Sequence, residues 1–356
     1  MFPKYFPPTF TGNHFEVGYQ HAEWWLNYLA RPGCEDYDRY CRSSLRRSWQ
    51  PRFAPLLENT EAFAPEVASE IHGMCDALVA NGVKTDYLNV FAVCLGETGY
   101  KGSQCTAFVT RAENSLILSH NEEEDGICPL CIASVNIHDA GKVKSFVAAS
   151  YPFQLPGSAF GGVNRHLAFQ GNSIGYSKYI KQIESSWGER IPKTVFSRKF
   201  LEASSLKEVL LMCSEFLFSL PSHSFFIDDS ELYSLEIRPL ARYKLYPLHQ
   251  VSLNKISTSH CHVNHFIKIN SIDLNWTWKN KRDIKEGVER LFCIQDKVNS
   301  IGQFTSKKCM STMKKFAADE RYSWKTSASF VVTSNVNGLQ LVTNNYFNRD
   351  KYTLTP

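Results

Sequence analysis

Apolar positions recur at helical spacing through the first hundred residues and at strand spacing after residue 105. Phe15, Tyr19, Ala22 and Leu26 share one side of a helix predicted over residues 14–30, with Pro32-Gly33 as its stop. Pro65, suited to a first helical turn, opens a second helix whose apolar positions Val67, Ile71, Met74, Cys75 and Leu78 run to Asn81-Gly82. A third, short apolar segment from Tyr87 to Leu95 leads into a glycine-punctuated loop, Gly96 to Gly102.

After that loop the period shortens. Thr106–Thr110 and Leu116–Ser119 read as strands of a hairpin turning through Arg111–Ser115. Asn121-Glu122-Glu123-Glu124-Asp125-Gly126 reads as an acidic, solvated corner, after which strands are predicted at 131–137 and 143–150. Pro156 to Asn164 is a glycine-rich turn without the GxGxxG spacing of a phosphate cradle. A helix over Leu206–Phe216 is capped by Ser204 or Ser205. Strands flank an acidic turn at Asp228–Ser230, a further helix spans Ile284–Val298, and a last hairpin, 327–333 with 339–343, turns through Asn337-Gly338. Helices, then hairpin strands, then helices with returning strands predict one α+β layered domain over residues 1–356, because no linker, repeat or low-complexity tract divides it.

Composition narrows the function class. The 356 residues include 39 basic and 35 acidic side chains scattered along the chain, a net charge of +4 that is too weak and too dispersed for a nucleic-acid partner. The opening Met1 to Pro8 lacks the apolar segment of a signal peptide, and no apolar run reaches membrane-spanning length, so a cytoplasmic protein with no membrane partner is expected. Eleven irregularly spaced cysteines fit reduced thiols better than a disulfide framework. Cys128-Pro129-Leu130-Cys131 is a single CxxC whose only candidate partner is His260-Cys261-His262; it reads as the start of a strand, and no metal is expected.

The chemistry concentrates at Gln104-Cys105-Thr106. A thiol where a flexible loop becomes a strand is exposed and held on its C-terminal side, which suits a nucleophile, whereas a cysteine taken blindly is core filling.

Four stretches, in order, give the chain a resemblance to the isopenicillin N acyltransferases and related β-alanyl-amine hydrolases, a branch of the N-terminal nucleophile hydrolases. They are Gly12 to Ala22 with Phe15-Glu16-Val17-Gly18-Tyr19-Gln20-His21; Pro65 through Glu70-Ile71-His72-Gly73-Met74; Gln104-Cys105-Thr106 followed by Asn121-Glu122-Glu123; and His262-Val263-Asn264-His265-Phe266. Gln104 replaces a frequent glycine, Glu123 an aspartate, and His166 a common glycine after Asn164.

The resemblance implies a four-layer αββα sandwich and self-cleavage between Gln104 and Cys105 into chains 1–104 and 105–356. It makes Cys105 the nucleophile, Asn264 the oxyanion donor and Glu123 the residue that orients the new α-amine, with Asn121, Thr106 and His265 in support. The substrate would be a small N-acyl amine, with a β-alanyl or similar cationic aminoacyl amide favoured by the acidic run at 122–125. No cofactor is required, although a coenzyme A thioester could serve as acyl donor in an acyltransferase, and a homo-oligomer is compatible with the sequence. The competing class is an uncleaved, non-enzymatic relative that binds a ligand. A papain-like peptidase is excluded, because Cys-Gly-Ser-Cys-Trp is absent.

Overall fold

A computed structural model describes residues 7–31, 53–95, 104–124, 128–174, 187–228, 230–240, 249–264, 267, 281–319, 325–335, 338–345, 351–354 and 356. The chain opens with β1 (Thr9–Gly12) and four helices, α1 (His14–Leu29), α2 (Ala54–Phe63), α3 (Pro65–Ala80) and α4 (Tyr87–Cys94). Strands β2 (Gln104–Ala112), β3 (Ser115–Glu124), β4 (Cys131–Asp139), β5 (Lys142–Ser150), β6 (Gly161–Asn164), β7 (Leu167–Ser173) and β8 (Arg190–Ile191) follow. Helices α5 (Lys193–Phe200) and α6 (Leu206–Glu215) precede β9 (Leu217–Phe218), β10 (Ser222–Asp228), β11 (Glu231–Pro239), β12 (His249–Ile256) and β13 (His260–His262). Helices α7 (Lys281–Asn299) and α8 (Ser306–Ala317) then lead to β14 (Lys325–Asn335), β15 (Gly338–Asn345) and β16 (Lys351–Leu354).

The fold is α+β with two large sheets, one of eight strands in the order β1-β4-β5-β6-β7-β10-β11-β12 and one of six in the order β13-β2-β3-β14-β15-β16. Alternation along each strand feeds separate cores. In the first, Trp25, Ile71, Met74 and Phe91 of the early helices pack on Phe146, Phe169 and Phe226 of the eight-stranded sheet. In the second, Val109, Leu118 and Phe330 of the six-stranded sheet meet Val147, Phe225 and Ile227 of the larger one. In the third, Phe108, Ile117 and Val331 pack on Ile294, Met313 and Phe316 of α7 and α8. Neighbouring residues Ile117 and Leu118 therefore serve opposite cores, as strand geometry requires.

The sequence motifs near the N-terminus are explained by packing. A Cβ on Gly18 would lie 1.8 Å from the Glu70 carbonyl oxygen, and one on Gly73 would lie 2.0 Å from that of Phe15, so α1 and α3 touch backbone to backbone. The buried arc of α1 comprises Val17, His21, Ala22, Trp25, Leu26 and Leu29, whereas Phe15 and Tyr19 are only partly covered. The predicted stripe is thus rotated, because α1 is covered both by α3 and by the sheet.

The largest departure from expectation is the acidic corner. Asn121, Glu122 and Glu123 lie in β3, paired with β2 on one side and β14 on the other, and all three are buried. The expected helices at 65–80 and 206–216 and the Asn337-Gly338 hairpin are present, with Ser205 capping α6 and Gly338 at φ +97°. No helix among the described residues is long and apolar enough to cross a membrane.

Candidate active site around Cys105

Cys105 is the second residue of β2, which begins at Gln104, earlier than expected, and it is 2% exposed. Strand pairing begins at Gln104, opposite Glu123, so the thiol points between the two sheets instead of lying open at a loop end. Its backbone N–H donates to Asn264 Oδ1 at 2.9 Å, and Asn264 Nδ2 donates to the Ser173 carbonyl oxygen at 2.7 Å. Asn264 therefore ties the peptide nitrogen between Gln104 and Cys105 to the end of β7. In this uncleaved chain the side-chain NH2 of Asn264, the group expected to serve as oxyanion donor, is bonded to Ser173, and the oxygen faces the Cys105 nitrogen.

Burial pushes the Cys105 thiol well above its ordinary range, and the adjacent Glu122 carboxylate adds to the rise. The Lys193 charge and the backbone N–H of Ser173 act in the opposite direction. Lys193 is itself held at the start of α5 by a 3.0 Å bond from Nζ to Ser173 Oγ.

The two faces of β3 then divide the neighbouring carboxylates. Glu122 pairs directly across from Cys105 and shares its face. Its Oε1 lies 4.0 Å from the thiol sulfur and accepts the Tyr151 hydroxyl at 2.7 Å, while Oε2 shares a 2.8 Å hydrogen bond with His120 Nε2. Glu123 is on the opposite face. There its Oε2 accepts from Thr106 Oγ1 at 3.1 Å and from Arg290 Nη2, which also donates to Thr106 Oγ1 at 2.6 Å. Arg290 Nη1 reaches Asn264 Oδ1 at 3.4 Å, completing a chain from Glu123 to the Cys105 nitrogen. Burial holds the Glu123 carboxyl above its ordinary value even beside that guanidinium. A register shift between Thr326 and Ala328 on β14 lies opposite these two glutamates. Such bulges re-aim side chains at functional sites.

The geometry places three of the expected features. The carboxylate beside the thiol is Glu122, and Glu123 connects to Cys105 through Arg290 and Asn264. Asn121 donates from Nδ2 to the Met313 carbonyl oxygen at 3.1 Å and accepts from Ser329 Oγ at 2.7 Å, so it joins β3 to α8 and β14 and does not face the nucleophile. Of the acidic run, Glu122 and Glu123 are not open anionic groups, since His120, Tyr151, Thr106 and Arg290 engage them. Thr106 is fully buried at the junction of Glu123 and Arg290. His265, the Gln104 side chain and the residues at 125–127 lie outside the described residues.

Arg290 is the residue that sequence reasoning missed. Its signal was present: with Gly287, Ile294 and Val298 it lies on the buried stripe of α7, and a guanidinium in register with apolar residues needs a buried anion. A second buried polar row, Asn172, His223 and Glu236, crosses adjacent strands of the larger sheet. His262 stacks on His223 with ring centroids 3.3 Å apart, takes a 3.2 Å hydrogen bond from Asn172 Nδ2 and shares one of 3.3 Å with Glu236. Burial lowers the His262 pKa despite Glu236, so this neutral ring anchors β13 and, through it, Asn264.

Among the described residues, the group of ligating side chains close enough to share an ion is Cys105, His120 and Glu122, whose donor atoms lie within 4.8 Å of one another. Cys128 and Cys131 are buried and lie outside that group. An open cleft of about 450 Å³ lined by Phe15, Glu61, Ser69, His72 and Asp76 lies along α1 and α3 and includes none of the residues around Cys105. The arrangement at Cys105 combines a shielded thiol, a fixed peptide nitrogen and two buried carboxylates, group types that nucleophilic acyl transfer can use. A scan against protein-family models and a search of curated proteins gave no match to this chain.

Proposed function

We propose that the chain is a self-cleaving N-terminal nucleophile amidohydrolase that acts on linear N-acyl amides of small amines through a thioester on Cys105. The observation that carries this reading is the grip of Asn264 on the Cys105 N–H at the start of β2, with Arg290 and Glu123 behind it. On this reading the three cores are those of a four-layer αββα sandwich, and residues 1–356 form one domain that divides into chains 1–104 and 105–356.

Attack of the Cys105 thiol on the Gln104 carbonyl carbon expels the Cys105 nitrogen, and water then releases the Gln104 carboxylate. The freed α-amine, with a pKa near 7.7–8.0 in the usual case, becomes the base for later turnovers. Asn264 Oδ1 and the Glu123–Arg290 pair are placed to keep that amine next to the thiol. In turnover the thiol takes the acyl group of the substrate, the amine leaves, and water resolves the thioester. A small acceptor amine in place of water, or a coenzyme A thioester as donor, would give the acyltransferase alternative. Because Glu122 and Glu123 already have partners, a β-alanyl or other cationic aminoacyl amide is one member of the proposed substrate class and not its defining feature.

The test is the intact mass of freshly purified protein beside Cys105→Ala. Two chains of about 12 and 29 kDa, by residue share of 40.6 kDa, are expected from the wild type and one chain from the variant. A single chain from both overturns the enzyme reading. The buried thiol would then favour a binding protein with a packed Cys105.

A further inference from the structure

The free α-amine that serves the mature enzyme as base does not exist before cleavage. In the intact chain the Cys105 nitrogen is an amide, its hydrogen is donated to Asn264, and its lone pair is delocalised into the carbonyl. The first reaction of the chain therefore needs a different proton acceptor.

Among the described residues, the acceptor within reach of the Cys105 sulfur is Glu122 Oε1, at 4.0 Å. The two residues are direct partners in the β2–β3 ladder, so their side chains leave the sheet on the same face. Tyr151 fixes Oε1 and His120 fixes Oε2, and Glu122 is only 2% exposed. Glu123 cannot substitute, since it is on the other face and bonded to Thr106 and Arg290. The Ser173 backbone N–H and the Lys193 charge favour the thiolate.

We propose that Glu122 is the catalytic base of self-cleavage, with Tyr151 and His120 as positioning residues; this rests on the self-cleaving reading above. The Glu122 carboxylate takes the thiol proton as sulfur bonds to the Gln104 carbonyl carbon, giving a tetrahedral oxyanion. The resulting carboxylic acid returns the proton to the Cys105 nitrogen as the carbon–nitrogen bond breaks. That leaves a Gln104 thioester on Cys105, a free α-amine and Glu122 again ionised. One water then hydrolyses the thioester to the Gln104 carboxylic acid and the thiol. Glu122 is thus needed for the step that creates the α-amine, which takes over as base afterwards.

The experiment follows the conversion of full-length wild type, Glu122→Gln and Glu122→Asp by intact mass from pH 5 to 9, with and without hydroxylamine. Glu122→Gln is expected to convert about 10²-fold or more slowly at neutral pH. Its rate should climb with pH more steeply than the wild-type rate, as solvent deprotonates the thiol. Hydroxylamine should release no extra chains from it, because no thioester accumulates. Glu122→Asp, which keeps the charge, should convert faster than Glu122→Gln, and that difference guards against a loss of folding in the amide variant. Wild-type conversion together with equal rates in Glu122→Gln, or equal rates in the two variants, overturns the proposal and leaves self-cleavage standing. A slow Glu122→Gln with the wild-type pH profile also overturns it, as does one that hydroxylamine cleaves. A wild type that never converts removes the parent reading instead.

Discussion

Two buried ionic clusters in this molecule are each built on an arginine–glutamate pair, and their carboxyls are shifted in opposite directions. In the core beneath α1 and α3, Arg198 forms ion pairs with Glu70 and Glu202, each at 2.8 Å, with His14 beside both carboxylates and Lys144 on Glu202 at 2.9 Å. Burial alone would raise the Glu70 and Glu202 carboxyls, but Arg198 overrides it, leaving Glu70 below its ordinary value and Glu202 at about 2. Around Cys105, Arg290 serves Glu123, Thr106 and Asn264 together, and Glu123 remains above its ordinary value. The first cluster lowers the energy of its charges and fastens α3 to α5. The second leaves a carboxyl and a thiol at raised pKa values, the state from which protons move. A buried guanidinium is therefore no sign of function until the state of its partners is known.

The largest expected effect tests the fastening role. Arg198→Met strands two buried carboxylates and should cost about 3–5 kcal/mol in urea unfolding, a cost that leaves little stability for a domain of this kind. A loss under 1 kcal/mol would remove the contrast.

Acid comes next. Glu202 has its folded pKa depressed from 4.5 to about 2, so its stabilisation is present above pH 4.5 and is lost as pH falls through about 2. His21, buried against Ser150 and Trp25, is depressed from 6.5 to about 4, so its contribution is present above pH 6.5 and lost as pH falls through about 4. Each is worth about 3 kcal/mol at full effect. Glu123 runs the other way, because a raised carboxyl is favoured by acid. Melting temperature against pH should therefore decline from pH 6.5 to 2, and Glu202→Gln should flatten the branch below pH 4.5.

Arg290→Met should cost less stability than Arg198→Met, about 1–2 kcal/mol, since Glu123 can take up a proton when its partner is removed. Its main effect should be on maturation, slowed about 10²-fold, because Asn264 and Thr106 lose their shared donor. Equal stability losses in the two arginine variants would erase the distinction between the clusters. The smallest effect is expected from Glu123→Gln, under about 1 kcal/mol by the same unfolding measurement, against about 2 kcal/mol for Glu70→Gln.

Much of the frame was legible in the sequence, and the reasons are local. Pro65 and Asn81-Gly82 bracket α3, Ser205 caps α6, and Asn337-Gly338 turns the β14–β15 hairpin, because each of these residues acts through its own backbone or its nearest neighbours. Helices α2 and α8 and strand β1 escaped notice. Strand β1 is four residues long and gains its partner from β4, far along the chain, while α8 carries lysines over a stripe of only Cys309, Met310, Met313 and Phe316. At the site, Cys105 and Asn264 were singled out and the structure joins them directly. That Glu122 and not Glu123 shares the face of the thiol was not legible, since a strand continuing through Asn121–Glu124 looks, by composition, like a solvated turn.

The sequence by itself determined the order of helical and strand segments, the caps and turns that bound them, the α+β class and the cysteine around which the polar residues gather, because these follow from periodicity and from residue-specific backbone preferences. Only the tertiary structure decided which carboxylate looks at the thiol, that Arg290 stands behind Asn264, and that Glu122 and Glu123 are buried and paired. Those facts depend on strand register, where one residue reverses the face, and on contacts distant along the chain, such as that of Glu123 with Arg290.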